Sequence, residues 1–454
     1  MKQMKKLNKM ILGLSVTCLI ASCDSRLDVE PTQSVVLNEG LKTARDVQIT
    51  LVGTYNLLGD ADVYGGRIFL EPDLLATRTI INWSGTYQEL TQIANQDIPA
   101  NNDFVANLWL DSYKAINQAN TVLSATDKVD STNRDRVEGE AKFLRGMLYF
   151  DLVRLFGKAW NDGDPAVNLG VPLILVPTDV IDPSAQVPRN TVAQVYEQAI
   201  SDLTEAENLL PETNTYYANK YAAAAILSRV YLQQGDYQKA AAEASKVIES
   251  KAFSLTTNFE DEFPYPSQNH VANTSEDIFA IQVTTQQGAN SLNEFYASSD
   301  NGGRGDIEVR QNFINEYEEG DARANFFYDD GGAMRTAKFN NLYGNVHIVR
   351  LAEMYLTRAE ANWRLGTSVG AAPLNDVNQI RERAGLRPLT SVSLNDILKE
   401  RRLELAFEGG FFLHDAKRLQ QNIGGLPFNS PKLVFPIPQR EIYANPSLIQ
   451  NEGY

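Results

Sequence analysis

Two groups of side chains in this chain set flat aromatics beside hydrogen-bonding groups, the chemistry that holds a ligand with an apolar face and a polar rim. Within one short stretch the sequence sets Tyr64, Arg67, Asp73, Arg78, Asn82, Trp83 and Tyr87. A pyranose ring has an apolar C–H face and a rim of hydroxyls. A flat aromatic covers the face with large area and little lost entropy. Asn, Asp and Arg satisfy the rim. Trp83 is the leading candidate, because Asn82, Ser84 and Gly85 give it polar neighbours; a buried structural tryptophan is the alternative. A second group, Phe295, Tyr296, Asn301 and Arg304, lies far downstream. Trp109 falls on a helical stripe and reads as core, while Trp160 is undecided between the two readings.

Catalysis leaves a fainter trace. The three histidines, His270, His347 and His414, are scattered and form no metal-binding pair at helical spacing. There is no G-x-S-x-G elbow. A glycosidase needs two carboxylates facing one sugar bond; with 57 Asp and Glu, acidic pairs occur without meaning. The expectation is binding without catalysis and without a cofactor. Asp162/Asp164 and Asp300/Asn301/Asp306 have oxygen-rich spacing suited to Ca²⁺, but neither fits the full twelve-position loop, so solvated turn acids are the preferred reading.

Cys23 carries a different chemistry. Lys2, Lys5, Lys6 and Lys9 precede an apolar stretch from Met10 to Ile20, which ends in Ala21-Ser22-Cys23. A basic start, a short apolar core and small residues at the cut make a secretory signal. The stretch is too short to span a bilayer, which takes about 20 residues. The cysteine after the small residues resembles a bacterial lipobox, whose thiol is acylated. Residues 1–22 are therefore expected to be a cleaved signal peptide and 23–40 a lipidated polar tether. Cleavage removes four lysines and no acid, taking the formal charge from −16 to −20. So acidic a surface repels nucleic-acid phosphates. Cys18 would leave with the signal, so no disulfide is expected.

The elements that must position these residues are mostly helical. Apolar periodicity predicts helices around 41–59, 104–125, 137–156, 192–209 and 394–408. Residues 220–249 form the clearest internal unit: two helices meet at Gly235-Asp236, with Tyr231, Gly235, Tyr237 and Ala240 at tetratricopeptide spacing. Small Ala240 and Ala244 let the helices approach. Weaker copies occur near 146–157 and 355–366. One such unit cannot bury its own face, so several must stack. Residues 253–345 break the rhythm with Asn, Gly, Asp and aromatics, and a loop that long on a helical scaffold is functional or disordered. Strand-like Ile278–Thr284 argues for order. The Pro/Asn-rich tail, 425–454, is expected to lie extended along the helices.

In their order, these motifs resemble the SusD/RagB family of outer-membrane nutrient-binding lipoproteins. The likeness runs from Cys23-Asp24 through Trp109, Asn117 and Asn120, then Glu140–Arg145 with Tyr149 and Phe156-Gly157. It continues through Pro188-Arg189, Asp202-Leu203, Arg350–Glu353, Arg383–Gly385 and Glu400–Gly409. It closes on Phe435–Pro438, Asn445-Pro446 and Gln450–Tyr454. One departure follows Glu408-Gly409: the run Gly410-Phe411-Phe412-Leu413-His414 stands where the family usually has an arginine, suggesting aromatic packing in place of an ion pair. The resemblance implies an all-α, tetratricopeptide-like helix-pair array over 41–454, with about four pairs, a long loop-rich insertion and an extended tail. It also implies a lipid-anchored, surface-exposed outer-membrane lipoprotein for nutrient uptake, capturing oligosaccharide or peptide for a SusC-like TonB-dependent transporter. A lipid-anchored peptide-binding scaffold and a surface glycan hydrolase are the competing expectations.

Overall fold

The computed structural model describes residues 41–178, 186–264, 270–286 and 288–454. Cys23, the signal and the tether lie outside them. Thr43–Tyr454 folds as one unit.

Fifteen α-helices and six short strands occur among the described residues, and about half the chain is helical. The array begins with α1 (Ala44–Leu58), which packs on α4 (Asp103–Leu123). Between them lie α2 (Arg67–Ala76), β1 (Ile81–Trp83) and α3 (Gln88–Ala94). Next come α5 (Ser131–Phe156) and α6 (Val192–Leu209), the most extensively packed pair, then α7 (Lys220–Gln234) and α8 (Tyr237–Ser250).

Sequence chemistry accounts for these joints. On α5, a Cβ at Gly146 would come within 3.0 Å of Asp202 Cβ and Leu203 Cγ, so glycine sets how closely α6 can approach. Arg145 then reaches across with two hydrogen bonds, 2.8 and 2.7 Å, to the Asp202 carboxylate, and a third, 2.8 Å, to Asn120 on α4. At the α7–α8 turn, Gly235 adopts a left-handed φ of 77°, which costs glycine no steric penalty. Asp236 follows and accepts a hydrogen bond from Lys239 N at 3.1 Å, capping α8. Ala240 and Ala244 are fully buried.

The rhythm resumes after the insertion. Helix α11 (Leu351–Leu365) packs directly on α8, and α12 (Pro373–Arg383) and α13 (Leu394–Glu404) pack on α11. The residues between α8 and α11 are thus looped out of a continuous array. They form β2 (Asp277–Ile281), α9 (Ser291–Tyr296), β3 (Ile307–Val309), α10 (Gln311–Ile314), and the hairpin of β4 (Phe327–Asp330) and β5 (Ala333–Thr336). Then β6 (Val346–Arg350) pairs antiparallel with β2, opposing Ala280 to His347, and closes the base of the insertion. Arg350, fully buried at that base, binds Glu276, Glu404 and Glu408 at 2.7, 2.6 and 2.7 Å.

Helix α14 (Phe411–Arg418) carries the unusual aromatic pair. Phe412 packs on Phe313 and Phe407 at 5.7 and 5.4 Å, and the Arg401 guanidinium lies 4.7 Å from the Phe411 ring. The tail runs along the array, as its spacing of apolar residues and prolines suggests. Phe435 N donates to Leu155 O at 2.9 Å, Arg189 donates to Ile449 O at 2.9 Å, and the tail includes one short helix, α15 (Gln439–Ala444).

Candidate functional site

The two groups of candidate ligand residues meet. Strand β1 pairs antiparallel with β3, setting Asn82 opposite Glu308 and Trp83 opposite Ile307. Ser84 N donates to Asp306 O at 2.8 Å and Arg310 N to Ile80 O at 2.7 Å, so the insertion is stitched to the segment before α3.

On this two-stranded base sits an aromatic shelf. Phe295, fully buried, lies beneath it. The rings of Trp83 and Tyr87 pack on Phe295 at 5.9 and 6.0 Å, and Tyr87 meets Phe104 of α4 edge-on at 5.4 Å. Trp83 and Tyr87 are both half-buried. Trp83 is held in place: its Nε1–H donates to Thr91 Oγ1 at 2.9 Å, and a Cβ at Gly85 would overlap its six-membered ring. The Arg304 guanidinium lies 4.8 Å from the Tyr87 ring centre while donating to Asp306 at 2.7 Å and Thr86 Oγ1 at 2.9 Å. Exposed Asn82 donates to Glu308 at 3.2 Å. Arg67 stacks 4.3 Å from the Phe104 ring and pairs with Asp62.

Sequence reasoning missed Glu294, next to Phe295 on α9. Burial raises its carboxyl above the ordinary range, against the pull of Arg67 and Arg304 on either side. The Asp306 hydrogen bond is the largest influence on Arg304 and, with Glu294 nearby, secures its charge. The shelf therefore combines two half-buried aromatic rings, tilted 51° and 73° to Phe295, with a fixed rim of amide, hydroxyl, guanidinium and carboxylate groups.

Several expected residues do not reach it. Asp73 and Tyr296 are fully buried, which removes them from any accessible ligand surface. Tyr296 packs between Phe339 and Phe407 at 5.2 and 5.4 Å, and Asp73 faces it, with Glu408 and Lys338 nearby. Tyr64 is also core, its hydroxyl bound to Asp151 and Met147 O. Asn301 is half-buried and donates to Ser298 Oγ and the Tyr328 hydroxyl at 3.0 and 3.2 Å, stiffening the loop before Arg304. Arg78 is exposed. Trp109 is core, against Tyr113 and Phe156. Trp160, half-buried, packs on Tyr196 at 5.0 Å. Of the turn acids, Asp306 is engaged by Arg304 and Asp164 accepts from Ala166 N, while Asp300 is exposed.

A second aromatic cleft, of about 350 Å³, is lined by Tyr55, Asn56, Tyr216, Tyr217, His270 and Gln282. Tyr217 packs on Tyr55 and Tyr216 at 4.7 Å each, and Tyr216 is 51% exposed. Its signal, Asn214-Thr215-Tyr216-Tyr217 in an interhelical loop, has the same aromatic-in-polar character as the Trp83 segment.

A helix-pair array with one long insertion looped out of it defines the architecture. A family profile described as "Starch-binding associating with outer membrane" matches residues 27–232, and one described as "SusD family" matches 327–422. A SusD-like protein of Formosa agariphila is 28% identical, over 99% of this chain and 100% of its own length. The starch-binding protein SusD of Bacteroides thetaiotaomicron is 23% identical, over 75% of this chain and 76% of its own. The crystal structure of a SusD superfamily protein from the same organism superposes with a TM-score of 0.78 at 28% identity, covering 90% of this chain and 100% of that one. The chain belongs to the SusD/RagB family.

Proposed function

We propose that this protein captures oligosaccharide at the outer surface of the cell and passes it to a SusC-like TonB-dependent transporter, without chemically altering it. The observation that carries the reading is the union of Trp83, Tyr87 and Arg304 across the β1–β3 pair. Aromatic rings beside a polar rim are what a sugar ring, with its apolar face and hydroxyl edge, requires. The outer-membrane description of the matching profile and the starch-binding name of one relative support the setting. Among the described residues no helix is long and apolar enough to cross a membrane. Attachment is assigned to acyl chains on Cys23 from the basic, apolar and small-residue order of residues 2–23, since each buried CH₂ contributes about 0.8 kcal/mol.

Isothermal titration with a panel of neutral oligosaccharides and peptides tests the proposal. A neutral glycan should bind with little dependence on salt, and Trp83→Ala should abolish most of the heat while circular dichroism stays unchanged. Binding only to basic peptides, weakened by salt, would replace the glycan reading with the peptide scaffold. Loss of glycan binding in Tyr216→Ala but not in Trp83→Ala would move the site to the tyrosine cleft.

A further inference from the structure

The base of the insertion holds an arrangement that ligand capture does not use. Glu262, in the helical turn 259–262, Asp277 on β2 and His347 on β6 bring one donor atom each to within 4.8 Å of one another. Glu262 is fully buried, and the side chains of Asp277 and His347 are 1% and 11% exposed. His347 Nδ1 lies 2.5 Å from Asp277 Oδ1 and 3.5 Å from Glu262 Oε1.

The outer oxygens of both carboxylates are already spoken for by one residue. Thr274 donates through its hydroxyl to Glu262 Oε2 at 2.5 Å and through its backbone N–H to Asp277 Oδ2 at 2.9 Å. The inner oxygens are left facing the imidazole, and Glu262 Oε1 takes no hydrogen bond although buried. A buried carboxylate oxygen without a donor is costly. The Phe263 ring meets the imidazole edge-on at 5.3 Å and fixes its orientation. Hydrogen bonds of this kind, from Thr274 to the outer oxygens, are what the second layer of a metal centre supplies to its ligating carboxylates. A cavity of about 20 Å³ beside Thr274, Asp277, Asn345 and His347 leaves room for one water.

We propose that Glu262, Asp277 and His347 form a binding site for a divalent transition metal, Zn²⁺ by its donor set, that clamps the base of the insertion. One nitrogen and two oxygens suit zinc better than calcium or magnesium, which want six or more oxygens. Tetrahedral zinc sets its donors about 3.4 Å apart. The imidazole–Glu262 separation already matches; the imidazole–Asp277 pair must open by about 0.9 Å, a small side-chain rotation. Because β2 and β6 bracket residues 282–345, the clamp would steady the loops that carry Phe295 and Arg304.

Charge balance supplies a signature. Without metal, burial lowers the imidazole's pKa, but Asp277 and then Glu262 outweigh it and lift the value to about 9. Glu262 is pushed well above the ordinary carboxylate range by burial, Asp277 and Glu276. The other charges facing the site are Glu276 and Glu408, both held by Arg350, and Lys338. Zinc takes the imidazole in its neutral form, so affinity should rise with pH.

The test uses untagged, chelator-treated full-length protein with ZnCl₂, and CaCl₂ and MgCl₂ for comparison. One Zn²⁺ should bind per chain, more tightly at about pH 8 than at about pH 6.5, and raise the melting temperature by a few degrees. Calcium and magnesium should do neither. Glu262→Gln and His347→Gln should each weaken zinc binding more than about tenfold. Should His347→Gln fail to fold, Glu262→Gln decides, since it keeps the side-chain shape. No zinc-dependent shift at about 1 mM, or unchanged binding in the variants that fold, would leave His347 and Asp277 as a simple ion pair and overturn the proposal.

Discussion

The Arg304 guanidinium lies over the Tyr87 ring, 4.8 Å from its centre, although 217 positions separate the two residues in the chain. The contact spans the junction between the insertion and the segment before α3, and Asp306 and Thr86 fix the guanidinium from both sides. Exposed cation–π contacts contribute about 0.5–1 kcal/mol. Arg304→Ala should therefore weaken glycan binding by roughly two- to fivefold by freeing the Tyr87 ring, with little change in melting temperature. Arg304→Lys should not restore it, because an ammonium cannot stack and bridge Asp306 and Thr86 together. Titration calorimetry of both variants checks this, and full affinity in Arg304→Ala would place the ligand elsewhere.

The scaffold was far more legible in the sequence than the site. Gly235, Asp236, Ala240 and Ala244 announce a tight helix pair because turn chemistry and small-residue spacing are local. The β1–β3 junction is not local: each strand has three residues, too few to show a period of two. Phe295 and Tyr296 are neighbours on one short helix; both point inward, yet one floors the shelf and the other fills the core. Only tertiary packing separates them. Asp73 misled for a different reason. Carboxylates are rarely fully buried without partners, so Asp73 read as surface, whereas α2 is buried along its whole length after Arg67.

Ala240→Leu tests the helix joint directly. The position is fully buried on α8, which packs on both α7 and α11. Forcing three extra carbons into such a contact typically costs about 1–3 kcal/mol. Denaturant unfolding should show a lower midpoint, and an unchanged midpoint would mean the helices can part freely there.

Breaking the α5–α6 bridge should cost more. Asp202 is 2% exposed, and its two oxygens are both bound by Arg145. Arg145→Met leaves that carboxylate buried and unpaired, a loss of about 3–5 kcal/mol. Adding Asp202→Leu should recover much of it, since an apolar pair of similar volume avoids the stranded charge. Urea melts of the single and double variants measure the coupling.

The proposed lipid anchor is Cys23. Cys23→Ala should be exported yet recovered in the soluble fraction, because the acyl chains provide the hold. Metabolic palmitate labelling should mark the parent protein and not the variant. Unchanged membrane retention would refute the lipid anchor.

Glu71 makes stability depend on pH in a direction that can be worked out. It is fully buried on α2, and neither carboxylate oxygen takes a hydrogen bond. Burial lifts its pKa from 4.5 to about 8, against a partial opposing pull from Arg67. Between those values the folded chain holds a proton that the unfolded chain has released. Folding is thus favoured by low pH: the contribution is complete below the unfolded value and is lost as pH rises towards 8, by at most about 1.4 kcal/mol per pH unit. Glu71→Gln keeps the shape and removes the titration. Other buried groups, His347 and Asp73 among them, titrate alike in both proteins and cancel in the difference. Urea unfolding should find the two nearly equal at about pH 4.5 and the glutamine variant increasingly the more stable towards about pH 8. A stability difference that stays constant across that range would show that Glu71 keeps an ordinary carboxylate pKa within the fold.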